Sequence, residues 1–200
     1  MKGLLRRIMR RSVDRAVQMQ PRRVDRIRND LLYAAPSERD LVAEIRRAAE
    51  RLLAAGLAPA TLGAVAVRRS DKSATRTAVG ADLGCIDNRA LDTVPIDDSD
   101  PLVAALAFHE AAAWGLPPML LALAEQHRVP EPVVASMSEA AGSIRLGVAT
   151  EPLPEGVTVI RGMGVLAVGD DVGTAVTRLE AAEFLATITV HMSDRSWTDG

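Results

Sequence analysis

Along residues 4–17 the apolar positions recur at helical spacing. Leu4, Leu5, Ile8, Met9, Val13, Ala16 and Val17 share one face, and arginines fill the other. Pro21 ends or bends this helix, because proline donates no N–H and its ring meets the preceding turn. A second stripe, Val24, Ile27, Leu31 and Leu32, predicts another short helical segment before Pro36. Ser37 followed by Asp40 has the form of a helix start, a side-chain cap with a first-turn acid. Leu41, Val42, Ile45, Ala48, Ala49, Leu52 and Leu53 then form a continuous apolar face. Gly56 stands at the C-terminal cap position, and Pro59 prevents the helix from resuming.

The period then changes. Residues 62–68 and 74–79 have strand character and flank the polar Ser70-Asp71-Lys72-Ser73, which predicts a hairpin. Residues 83–96 predict a short helix and then a strand over Asp92–Ile96. Ser99 or Asp100, ahead of Pro101, starts a helix expected to run through Leu102, Val103, Leu106, Ala107 and Glu110 to about Trp114. Gly115 and the Pro117-Pro118 pair interrupt it, and helix resumes over 118–126. Short strands are expected at Val133–Ser136 and Ile144–Val148. Val157–Ile160 and Val165–Val168 read as two strands around the turn Gly162-Met163-Gly164. From Val172 to Ile188 a helix is expected to bury Val176, Leu179, Ala182, Phe184, Leu185 and Ile188, with Arg178, Glu180 and Glu183 toward water. The tail after His191 is polar and expected to be loose.

Charge divides this plan in two. Residues 1–28 carry ten basic side chains against Asp14 and Asp25, a charge of +8; the net charge of −2 leaves −10 for the remainder. The basic arm has three functional readings: an acidic protein partner, an anionic membrane surface, or nucleic acid. Its plainest reading is a solvated amphipathic helix packed on its own domain. Nucleic acid is not expected, because Tyr33, Phe108, Trp114, Phe184 and Trp197 are all the aromatics, too few for base-stacking surfaces. Cys85 is the only cysteine, so neither an internal disulfide nor a thiolate cluster can form, and a reducing, cytoplasmic setting is expected. No apolar run approaches the roughly 18 residues of a membrane span. Arginines break up the first apolar stretch, so no secretory leader is expected.

Several local features invite chemistry. His109-Glu110 offers a base and an acid, but no histidine follows at the fourth position as a zinc-protease helix requires. Asp97-Asp98-Ser99-Asp100 reads as a solvated turn and helix cap, since a calcium loop needs further ligands. Gly162, Gly164 and Gly169 read as turns, with Arg161 the nearby charge able to meet an anion. Cys85 reads as a small buried hydrophobe, having no identifiable neighbouring base.

Two segments carry a resemblance to a known family. Residues 51–68 read Arg-Leu-Leu-Ala-Ala-Gly-Leu-Ala-Pro-Ala-Thr-Leu-Gly-Ala-Val-Ala-Val-Arg: a helix closed by glycine, a loop and a strand. Residues 159–171 read Val-Ile-Arg-Gly-Met-Gly-Val-Leu-Ala-Val-Gly-Asp-Asp, continuing through Ala175 and Arg178-Leu-Glu-Ala-Ala-Glu-Phe184. The pair resembles the class II aldolase/adducin family. There a Thr-Ser-Gly-Asn-x-Ser loop follows the helix, and strand, Asn-His-Gly, strand and a Leu-Glu-x-x-Ala helix close the domain. Residues 84–156 match poorly. The resemblance implies an α/β fold, a central, mostly antiparallel sheet flanked by helices. Here it would follow an N-terminal helical arm over residues 1–35, occupy residues 36–192 and leave a polar tail over 193–200.

The resemblance also implies a zinc site and two phosphate loops, and this sequence departs from both. The family holds zinc with a mid-domain His-x-His strand and the histidine of Asn-His-Gly, neutral imidazoles suiting the ion. Here Met163 replaces that histidine, His-x-His is absent, and His109, His127 and His191 are far apart. A thioether is no substitute for imidazole on zinc. Thr61 and Gly63 survive from the first phosphate loop, but Ala64 and Ala66 lack its polar side chains; the second loop reads Ala78-Val79-Gly80. Thr61, Gly63, Gly80 and Arg161 remain candidates for an anion, through backbone amides more than side chains. The family's acid/base glutamate would fall near Ser99-Asp100.

With no metal or other cofactor expected, the leading reading is a non-catalytic or regulatory subunit that associates with itself or with an intact relative. The alternative is a metal-independent lyase for a small carbonyl or sugar-phosphate-like substrate, using Asp100, His109 or Glu110 for proton transfer. A third reading makes the arm the functional end. It predicts that deleting residues 1–30 abolishes capture of an acidic protein partner and that rising salt weakens capture by the intact chain, both measurable by pull-down.

Overall fold

The computed structural model describes residues 38–59, 61–70, 72–97, 100–130, 139–147 and 155–195. The basic arm, the Ser37 cap, Asp98, Ser99, the Val133–Ser136 strand and residues 196–200 of the tail lie outside them. Helix α1, Glu38–Ala54, buries most of the predicted stripe, with Leu41, Ile45, Ala48, Ala49 and Leu52 at 5% exposure or less, while Val42 is part-buried and Leu53 is exposed. Its end is set by Gly56, at φ 68°. The Gly56 N–H donates to Leu53 O and the Leu57 N–H to Leu52 O, the paired bonds of a left-handed helix stop. Leu57 O then accepts from the Leu116 N–H at 2.6 Å, tying the end of this helix to the middle of the sheet.

The sheet has seven strands in the order β3-β2-β1-β4-β7-β6-β5. They are β1 Ala64–Ser70, β2 Ser73–Thr77, β3 Leu91–Pro95, β4 Ala111–Gly115, β5 Ser143–Gly147, β6 Gly156–Ile160 and β7 Gly164–Gly169. All neighbours pair antiparallel except β5 and β6, which run parallel. This is the expected α/β, mostly antiparallel architecture, and the predicted hairpin, glycine turn and flanking strands are in it.

The principal correction concerns residues 101–114. A continuous helix is expected there; instead α2 spans only Pro101–Ala104, a 3-10 turn follows over Ala105–Ala107, and Ala111 onward is strand β4. Alanine favours helix in isolation, but here it lies between β1 and β7, paired Val65↔Ala113 and Ala113↔Ala167. Ala111, Ala112 and Ala113 are fully buried, so tertiary packing outweighs intrinsic preference.

Among the described residues the two sheet faces are covered by different elements. Over one lie α1, α3 (Pro118–Glu125) and α4 (Val172–Arg195), enclosing a core that includes Ile45, Leu52, Leu120, Leu123, Leu179 and Leu185. Among the described residues, α2 and the 3-10 turn lie over the other, where their Leu102, Val103 and Leu106 meet Ala66, Leu166 and Val168. Three smaller differences from expectation accompany this packing. Helix α4 continues past His191 to Arg195, with the Thr187, Thr189 and Ser193 hydroxyls donating to carbonyls one turn back. Phe184 is 48% exposed, the inward positions being taken by Ala181, Ala182 and Leu185. Cys85 is also exposed, in a turn whose neighbours Leu83 and Ile86 point inward.

Glu183 does not face water as expected. It is part-buried and accepts from the Met119 and Leu120 N–H groups at 2.9 and 2.8 Å, so α4 caps the first turn of α3, which has no side-chain cap of its own. Burial raises its carboxyl above the ordinary 4.5, and the two backbone donors partly oppose that. An acid whose folded pKa is raised contributes stability that is full below 4.5 and is lost as pH rises through the folded pKa. The melting temperature of wild type relative to Glu183→Gln should therefore fall as pH climbs from about 4.5 to neutrality. Glu183→Ala strands both amides and should destabilise by about 1–2 kcal/mol in urea unfolding.

Candidate functional site

Four strands end at one side of the sheet. The start of β1, the end of β2, the end of β4 and the start of β7 are adjacent there because each neighbouring pair is antiparallel. A cavity of about 280 Å³ lies among them. Thr61, Leu62, Gly63 and Ala64 enter β1 along one wall, and Thr77 through Gly80 leave β2 along another. Asp100, Pro101 and Leu102 of α2, Trp114 at the end of β4 and Met163 of the β6–β7 turn complete the lining.

Each group is placed by local structure. Thr77 is buried, and its hydroxyl accepts from the Val65 N–H at 3.1 Å, fixing the end of β2 to β1. Gly63 packs so closely that a Cβ would lie 2.4 Å from the Ala58 Cβ and 2.6 Å from Leu83 Cδ1; its retention has a steric cause whether or not an anion binds. Gly164 has φ +151°, and a Cβ there would meet the Trp114 ring at 2.7 Å. The indole thus lies against the glycine turn. Asp100 caps α2, its Oδ1 accepting from the Leu102 N–H at 2.9 Å, and its Oδ2 is paired with Arg76 Nη1. Arg76 lies opposite Ala66 in the sheet register, on the face that α2 covers.

The fold gathers some sequence-predicted residues and separates others. Thr61, Gly63, Gly80 and Asp100 all line the cavity, as do Ala64, Val79 and Met163. His109 and Glu110 stand at the opposite end of β4, where Glu110 pairs with Arg68 at 2.6 Å. Arg161 is not among the lining residues; its Nη1 lies 3.0 Å from His127 Nε2. Sequence reasoning nominates neither Thr77, Pro101 and Leu102 nor, more consequentially, Arg76 and Trp114. Alternation along Ser73–Thr77 would have set Arg76 on the face of buried Ala74, an unusual place for a charge. The expected helix through Trp114 hid its true position at a strand end.

The sequence matches no protein-family model, and it matches no curated protein. Solved structures do share its fold. The L-fuculose-1-phosphate aldolase from Thermus thermophilus superposes with a TM-score of 0.66 at 21% identity, over 80% of this chain and 96% of that one. A sugar-phosphate aldolase from Thermotoga maritima gives 0.61 at 16%, over 80% and 97%. The N-terminal class II aldolase domain of a conserved protein from Thermoplasma acidophilum gives 0.52 at 14%, over 74% and 93%. The fold is that of the class II aldolases. Within this class II aldolase fold, the mid-domain strand next to the glycine turn is β4, and its end there reads Trp114-Gly115-Leu116. An indole and a thioether, with one carboxylate already bound to Arg76 and a helix end, do not fit zinc. Among the described residues no group of three or more His, Cys, Asp or Glu is placed to hold a metal.

The contact between Gly164 and Trp114 supports this wall of the cavity. Gly164→Ala should lower unfolding free energy by about 2–3 kcal/mol, from overpacking and an unfavourable backbone angle, and should shift Trp114 fluorescence in the folded state.

Proposed function

We propose that this chain is a class II aldolase-fold domain that works without the zinc-dependent mechanism, as a non-catalytic regulatory or interaction subunit. One observation carries the reading: the cavity at the strand ends presents Met163, Ala64 and Val79 at the positions that the family resemblance assigns to imidazole and to phosphate-loop side chains. In the family's mechanism an enediolate forms against a divalent ion, and among the described residues this cavity offers only the singly charged Arg76, which shares its charge with Asp100. Association with itself or with a related subunit is part of this reading, as is an acidic protein partner for the basic arm, in a cytoplasmic setting. Among the described residues no helix is long and apolar enough to cross a membrane.

A second reading, a metal-independent lyase acting on a small carbonyl or sugar-phosphate-like compound, draws support from the persistence of a cavity with a carboxylate, Asp100, in its wall. His109 and Glu110 are too far along β4 to share that site with Asp100.

The test pairs metal analysis with turnover. Elemental mass spectrometry of protein purified without chelators should find no stoichiometric zinc, manganese or iron. Incubation with L-fuculose 1-phosphate and added zinc should release no aldehyde. Stoichiometric metal, or turnover of the sugar phosphate with or without it, would overturn the non-catalytic reading.

A further inference from the structure

The cavity lining is mainly apolar; its polar side chains are Thr61, Thr77 and one ion pair, and that pair is incompletely satisfied. Arg76 is 17% exposed, and its Nη1 meets Asp100. Its Nε is buried with no hydrogen-bond partner. A buried guanidinium N–H without an acceptor is unfavourable, so Arg76 gains by turning its guanidinium toward an anion that enters the cavity. Planar guanidinium geometry matches a carboxylate, which can take two parallel N–H donors.

The remaining wall determines what must accompany the anion. Of the eight large apolar residues exposed among the described residues, three line this one cavity: Leu62 at 58%, Val79 at 83% and Met163 at 53%. Such clustering marks a binding surface, where scattered exposure would not. Trp114 and Leu102 continue the apolar lining inward. Ala64 and Val79 have no donors for the hydroxyls of a polyol, the Thr77 hydroxyl is engaged with the Val65 N–H, and Asp100 opposes a dianion. The volume of about 280 Å³ sits at the lower edge of the roughly 300–1,000 Å³ of ligand sites, room for a short acid and not for a lipid chain or nucleotide.

We infer that this cavity binds a small apolar monocarboxylate, an arylalkyl or branched-alkyl acid. Arg76 meets the carboxylate while Leu62, Val79, Trp114 and Met163 cover the hydrocarbon. The inference rests on the reading above that the cavity is no longer a zinc and sugar-phosphate site, and it specifies what occupies it instead.

The test is an NMR titration of the full chain, following the Met163 methyl and the Trp114 indole N–H, with Met163→Leu and Trp197→Phe used for assignment. Phenylacetate, phenylacetamide and inorganic phosphate are the probes. Phenylacetate should move both signals saturably, with phenylacetamide at least about tenfold weaker. Arg76→Met should bring phenylacetate down to the amide's affinity and leave the amide unchanged. Val79→Asp, at an exposed rim position that tolerates substitution, should weaken the acid more than the amide, and it carries the test if Arg76→Met does not fold. Equal affinity for acid and amide, no response to phenylacetate, or tighter binding of phosphate would each overturn the inference. Zinc-dependent turnover of L-fuculose 1-phosphate would instead overturn the non-catalytic reading, so the two failures are distinguishable.

Discussion

The structure depends on the burial of β4 from both sides. Ala111, Ala112 and Ala113 have no accessible surface, and their methyl groups alternate between the two cores. Larger side chains would push either α4 or α2 off the sheet, since interiors of native density do not yield space cheaply. The strand also fixes the cavity. It carries Trp114 to the sheet end, and Leu116 just beyond donates to Leu57 O, so the helix stop after α1, the approach to β1 and the cavity wall share one support.

That wall is mainly apolar. Its side chains are mutually consistent. A thioether at Met163, an indole at Trp114 and methyl groups at Ala64 and Val79 all lower the polarity of the same small volume. The residual charge is balanced internally by Arg76 and Asp100, and Asp100 has a second bond to the start of α2.

Much of this was legible in the chain. Strong periodicity gave away α1 and most of α4; turn residues located the hairpin and the Gly162–Gly164 turn; and Asp100 before Pro101 marked the start of α2. The alanine run was not legible, because Ala111–Ala113 has no period and its preference for helix is opposed by partners distant in sequence, Val65 on one side and Ala167 on the other. The same error concealed Trp114. Four of the candidate site residues, Thr61, Gly63, Gly80 and Asp100, do meet in space, since family motifs named them. Arg76 belongs to no such motif, and its importance emerges only where β2 ends beside α2. Glu183 was misplaced for a similar reason: a charged residue on a helix defaults to solvent until a second helix presents bare amides to it.

That contact has a dynamic consequence. The first-turn amides of α3 are held by a side chain from a different helix, so they cannot fray as the end of an isolated helix does. Opening them requires α4 to withdraw, and α4 packs against β4, β6 and β7. The start of α3 is thereby placed in the same cooperative unit as the sheet. Hydrogen exchange at Met119 and Leu120 would report the opening of the whole α4 layer, although neither residue belongs to it.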